Sequence, residues 1–167
     1  MNLEDIHDAE AVFVDSSILI YAAQGQSRQC RHLFARIDDH GVRGVCTTAV
    51  LAEVCHRSML TEARSKELIL GSNPARALSQ RREAISHLTE YAEIVRDILN
   101  TEIGVESILA QDFHVALELQ QRYGLLTNDS LNLAVARCLG LEALATTDTH
   151  FDGVPGIVVY RPDDLLV

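Results

Sequence analysis

The chain has 167 residues, 47% hydrophobic and 23% charged, the composition of a globular protein with enough apolar residues for a sizeable core. No segment approaches the ~20 apolar residues of a membrane span, and the opening MNLEDIHDAE is acidic and polar, unlike a secretion signal, so a cytoplasmic protein is expected. The formal net charge of −10, with Lys66 the one lysine among 14 basic residues, excludes a general nucleic-acid coat, because cationic contacts supply most non-specific affinity. Cys30, Cys46, Cys55 and Cys138 form no C-x-x-C pair and the histidines show no paired ligand spacing, so reduced, mostly buried thiols are expected rather than a zinc site.

Residues 11–15, AVFVD, are a short apolar run ending in an acid and predict a buried strand. A helix follows at once, with Ser16 or Ser17 as its cap, SILIYAAQ as its start and Gly25 as its breaker. A second helix is expected over 27–40, where Leu33, Phe34 and Ile37 fall at helical spacing before Gly41. VCTT, 45–48, predicts another strand, and Thr47 or Thr48 then caps the helix AVLAEVCHRSML. The pattern weakens over 61–72 until Ser72-Asn73-Pro74 marks a helix start, and Leu78, Ile85, Leu88, Val95 and Leu99 predict one long helix over 75–100. Residues 102–105 predict a third strand, and 107–124 a helix stopped by Gly124. Thr127 or Asn128 caps the helix DSLNLAVARCLG, which Gly140 ends, and strands are expected over 143–148 and 157–160. Strands separated by helices imply a mainly parallel sheet covered on both faces, and the absence of repeats and linkers implies one domain over 1–167.

The acids fall at telling places in this scheme. Asp15 and Asp148 each end a predicted strand, and in open parallel sheets ligands bind beyond the carboxyl ends of strands. Asp129 lies in the first turn of a helix, and Glu53 lies about one turn into another, among Val50, Leu51 and Val54. Each has a structural alternative: a helix cap for Asp15, an i,i+4 pair with Arg57 for Glu53, complementing a helix dipole for Asp129, and a turn for Asp148 and for Asp152. Together, several carboxylates at one edge repel one another and cost stability unless a cation joins them. Oxygen ligands favour hard cations such as Mg2+ or Mn2+, which orient and activate water, so the chemistry implied is metal-assisted phosphodiester hydrolysis.

Four stretches carry a family resemblance. VFVDSSILIY, TTAVLAEVCHR, YGLLTNDSLNLAVARCLG and LATTDTHFD resemble, in order, the motifs of the PIN-domain nucleases, including VapC-type toxins, over residues 12–160. The resemblance puts Asp15, Glu53, Asp129 and Asp148 at the family's catalytic and metal-binding acids, with Ser16 and Thr147 as supporting hydroxyls. It implies a three-layer α/β/α sandwich, a ribonuclease site using Mg2+ or Mn2+, frequent homodimers and, for a toxin of a type II pair, an antitoxin partner. Arg57 is the candidate contact for an RNA phosphate. Three features depart from the pattern. His150 stands where many relatives have an acid, leaving Asp152 as a candidate replacement ligand; Ser17 stands where Asn is frequent; and extra length around 61–100 extends a helical segment. The alternatives carried forward are a stand-alone RNA-processing nuclease, a non-catalytic scaffold binding RNA or protein, and a phosphoryl-transfer enzyme with Asp15 as nucleophile.

Overall fold

The computed structural model describes residues 1–165, and residues 166 and 167 of the expected single-domain span lie outside the described residues. The apolar run after the opening turn is strand β1, Ala11–Val14. It is flanked in the sheet by β2, Arg43–Thr47, and β4, Ala143–Ala145, with β3, Gly104–Glu106, and β5, Val158–Tyr160, at the edges. Every pairing is parallel, in the order β3-β2-β1-β4-β5. Val12, Phe13 and Val14 are all buried, as a central strand covered by helices on both faces requires. The result is a three-layer α/β/α fold. The chain steps from β1 outward through β2 to β3, then returns to the other side of β1 for β4 and β5. The order therefore reverses between β1 and β4, and their carboxyl ends open a crevice there.

Helices α1, Ser16–Ala23, and α2, Arg28–Asp38, connect β1 to β2. The cap of α1 is Asp15 rather than Ser16 or Ser17, because the chain leaves the extended conformation one residue earlier. Gly44 lets α2 sit directly on the sheet: a β-carbon there would meet Ile37 Cδ1 at 2.5 Å. Helix α3, Thr48–Ser65, follows β2, and Thr47 caps it by accepting the Val50 amide at 3.2 Å. Helix α7, Ala110–Tyr123, ends at Gly124, whose φ of 70° gives the left-handed stop expected there. Helix α8, Thr127–Cys138, starts after Leu126 with no side-chain cap, so Thr127 and Asn128 are its first residues rather than its caps.

The segment over 75–100 differs from the single helix expected. It forms three pieces: α4, Pro74–Ser79, α5, Arg82–Ser86, and α6, Glu90–Leu99. Its apolar residues are spaced for a helix, but a small satellite core of Ala63, Ile69, Leu78 and Leu88 draws the chain back onto the end of α3. Tertiary hydrogen bonds hold the breaks. Arg81 Nη1 donates to the Leu68 carbonyl at 2.5 Å, and Glu62 accepts the amides of Thr89 at 2.8 Å and Tyr91 at 3.0 Å. Glu62 thus caps α6 from another helix, which Thr89 does not do with its own side chain. The last strands are shorter than expected. β4 stops at Ala145, after which residues 146–148 turn into a single 3-10 turn, Thr149–Phe151, capped by Asp148. Among the described residues no helix is long and apolar enough to cross a membrane.

Glu62 is 3% exposed and pairs with Lys66 Nζ at 2.6 Å. Burial acts to raise its pKa, but the Lys66 hydrogen bond and the amides of Tyr91, Thr89 and Glu90 outweigh burial and lower it from 4.5 to about 2. Because the folded value lies below the unfolded one, this carboxylate stabilises the fold fully above about pH 5, and its contribution is lost as pH falls towards 2. Glu62→Ala is expected to cost about 3 kcal/mol at neutral pH in urea denaturation. Wild type should also lose stability more steeply than Glu62→Gln between pH 5 and pH 3.

Candidate active site

Asp15 stands where β1 ends, facing the crevice between β1 and β4. Its Oδ2 accepts two hydroxyl donors, Ser17 Oγ at 2.8 Å and Thr146 Oγ1 at 2.8 Å, with the Ser17 amide further away at 3.5 Å. Each hydroxyl also accepts a backbone amide from the segment after β4: Ser17 Oγ from Thr147 at 3.1 Å, and Thr146 Oγ1 from Asp148 at 3.0 Å. Asp15 is thereby tied to the backbone that carries Asp148. The supporting hydroxyls are therefore those of Ser17 and Thr146, each one residue away from the expected Ser16 and Thr147. Ser16 is buried in the first turn of α1, and Thr147 contributes its amide.

The other acids arrive from separate elements. Glu53 on α3, Asp129 in the first turn of α8, and Asp148 line one open groove together with Leu126, Thr127 and Asn128. The start of α3 and the middle of α8 are fastened together by a buried hydrogen bond from Thr47 Oγ1 to Asn132 Oδ1 at 2.6 Å. That bond fixes the distance between the helices bearing Glu53 and Asp129. Burial first, and then the negative charges of Asp148, Asp15 and Glu53, raise the Asp129 pKa from 3.8 to about 6 against the opposing effect of His150. The other three predicted acids thus all act on Asp129. Oxygen atoms of Asp129 and Asp148 and a ring nitrogen of His150 lie within 4.8 Å of one another. His150 Nδ1 is 2.7 Å from Asp148 Oδ1.

Two predicted residues sit at the margin. Arg57 Nη1 is 3.7 Å from Glu53 Oε1, an ion pair with no close hydrogen bond, at the exposed side of α3. Asp152 lies outside the acidic group: it pairs at 2.8 Å with Arg161, whose guanidinium also donates to the Asp148 carbonyl at 2.7 Å. A separate apolar concavity between α1, α2 and α6, lined by Leu19, Ala22, Phe34, Ile94 and Ile98, lies away from the carboxylates. Cys30 and Cys46 are buried, and burial raises their thiols to about 11 and about 12, so neither supplies a nucleophile.

Sequence reasoning passed over Thr146, Asn132 and Arg161. Asn132 carried a signal, a lone amide inside the apolar run LNLAVA one turn after Asp129. Thr146 is one of two adjacent threonines, and only the end of β4 decides which hydroxyl faces Asp15. Arg161 follows the last strand and has no sequence cue towards residue 148.

A parallel α/β/α sheet with acidic side chains gathered at its carboxyl edge defines the class of protein. Within that class, the PIN domain model matches residues 12–157, and the chain belongs to the PIN domain family. No curated protein matches the chain at a significant level. Solved structures share the fold. Mycobacterium tuberculosis VapC20, a sarcin-ricin loop cleaving toxin, aligns with a TM-score of 0.58 and 21% identity over 90% of this chain and 99% of its own. VapBC2 from Rickettsia felis, bound to a DNA fragment from its promoter, aligns at 0.56 and 15% over 90% of this chain and 98% of its own. A toxin-antitoxin complex from Klebsiella pneumoniae aligns at 0.51 and 20% over 88% of this chain and 95% of its own.

The mutual repulsion in this group has a stability consequence. Asp129→Asn removes one charge from a crowded, half-buried site, and it is expected to stabilise the metal-free protein by about 1 kcal/mol. Thermal melts in EDTA at neutral pH check this; a fall in melting temperature would show that the Asp129 carboxylate is already well compensated.

Proposed function

We propose that this chain is a divalent-metal-dependent endoribonuclease, a single PIN domain that hydrolyses RNA phosphodiester bonds. The observation that carries the reading is the convergence of Asp15, Glu53, Asp129 and Asp148, from four separate segments, at the switch point of the sheet. The donor set fits a divalent cation: Asp129 and Asp148 offer oxygens, His150 offers a nitrogen, and the negative charge around Asp129 outweighs the opposing effect of His150. Asp129, Asp148, Glu53 and the free oxygen of Asp15 would hold Mg2+ or Mn2+. Such a cation supplies charge stabilisation for the scissile phosphate and lowers the pKa of water bound to it.

The protein's own residues do the positioning. Ser17 and Thr146 anchor Asp15 through its Oδ2 and leave its Oδ1 uncommitted. Thr47 and Asn132 set the spacing of Glu53 and Asp129. Arg57, beside Glu53 and exposed, is placed to meet an RNA phosphate once its loose ion pair opens. With a net charge of −10, binding depends on such local contacts and on the cation rather than on the overall field.

The reading extends to a toxin of a type II pair acting in the cytoplasm, because two of the structural neighbours are a VapBC assembly and a toxin-antitoxin complex. An antitoxin partner would silence the groove by placing a basic side chain against its carboxylates. A homodimer belongs to the same reading. Leu109, Phe113 and Leu117 form an exposed apolar stripe along one face of α7 and its approach, suited to a second copy.

Purified protein is expected to cut structured or single-stranded RNA with Mg2+ or Mn2+ and not with EDTA. Asp15→Asn and Asp129→Asn should each lose roughly a hundredfold or more in rate, the scale of removing one preorganised electrostatic group. Absence both of cutting and of metal binding by calorimetry would replace the nuclease with a non-catalytic scaffold. Phe113→Arg is expected to shift the protein to monomer mass in light scattering, without loss of fold.

A further inference from the structure

The group around Asp148 contains a nitrogen donor that an all-oxygen site would lack. We propose that the His150 imidazole is itself a ligand of the cation, and that this gives the site a preference for first-row transition ions such as Mn2+ over Mg2+. This inference rests on the metal-dependent reading above.

The geometry comes first. Two ligands on opposite sides of one ion are about 4–4.4 Å apart, twice a typical metal–ligand distance. The donor atoms of Asp129, Asp148 and His150 lie within 4.8 Å of one another without an ion, so small side-chain rotations bring them to one centre. The His150 ring is already turned towards this centre, with Nδ1 at 2.7 Å from Asp148 Oδ1. Its side chain is 60% exposed, so no packing has to be broken for it to reach an ion.

Two of the neighbouring acids are already engaged elsewhere. Asp152, the next carboxylate along the chain, is bound to Arg161 at 2.8 Å. Asp15 has one oxygen committed to two hydroxyls and can offer only the other. The donors that already lie within 4.8 Å of one another are two carboxylates and one imidazole, with Glu53 lining the same groove. Hard Mg2+ prefers oxygen donors and retains its waters, whereas imidazole binds transition ions more strongly.

The test uses the full chain with Mn2+ alone as probe. Pulsed EPR of the Mn2+-loaded protein is expected to show coupling to a directly bound nitrogen, and that coupling should vanish in His150→Gln. Calorimetry should find His150→Gln weaker for Mn2+ by about tenfold or more, with Mg2+ affinity changed by less than about threefold. Melting temperatures of the two metal-free proteins confirm that both are folded. Mn2+ bound at the carboxylates without nitrogen coupling would mean that His150 only pairs with Asp148; the inference then fails while the nuclease reading stands. Failure of wild type to bind Mn2+ at all would overturn both.

Discussion

Negative charge gathered at one edge of a sheet must be held by a framework stiff enough to resist its own repulsion. Here the framework is the junction of β1 and β4, where the strand order reverses and two parallel neighbours part. Asp15 is bonded to Ser17 and Thr146, and these hydroxyls in turn bond the backbone at Thr147 and Asp148. The two strands are therefore joined beyond their last ladder bond by a carboxylate. Helix starts assist: Asp15 caps α1 and Asp129 lies in the first turn of α8, where the partial positive charge of helix amides offsets part of the acid's cost. The remainder shows in Asp129, whose pKa stays raised to about 6.

Helix α3 carries two glutamates with opposite environments, and the contrast separates a satisfied charge from an open one. Glu62, at the far end, has Lys66 and the amides of Thr89 and Tyr91 around it, so its charge is satisfied within the protein. Glu53, near the start, has Arg57 at 3.7 Å and opens on the groove. A carboxylate with every lone pair occupied holds elements together; one left under-bonded beside other acids is available to an external cation. The extra helices of 74–99 are thus anchored by a satisfied acid at one end of α3, while the acid nearer its start faces the open groove.

Much of this was legible in the chain itself. The apolar run AVFV closed by Asp15 requires a central strand, since a run buried on both faces fits only a sheet covered by helices on both sides. Thr47 before α3 and Gly124 after α7 act where their chemistry places them, because caps and left-handed stops are local. The four acids stood out for the same reason: each lies at a strand end or within the opening turns of a helix, and those positions are set by local pattern.

What the tertiary structure alone decided involves partners distant in sequence. Residues 75–100 read as one helix by spacing, yet Glu62 and the Leu68 carbonyl break it, and no local signal reports a hydrogen bond from another helix. Ser17 and Thr146, rather than Ser16 and Thr147, reach Asp15 because the cap of α1 falls one residue earlier, and the end of β4 three residues earlier, than the pattern suggests. Asp152 is drawn away to Arg161, and His150 is turned in beside Asp148 and Asp129. The sequence by itself determined which acids the fold would carry to the sheet edge, because hydrophobic periodicity is local. Which neighbours surround each acid was decided only in three dimensions, because charge and hydrogen bonding act across space between segments that the chain keeps far apart.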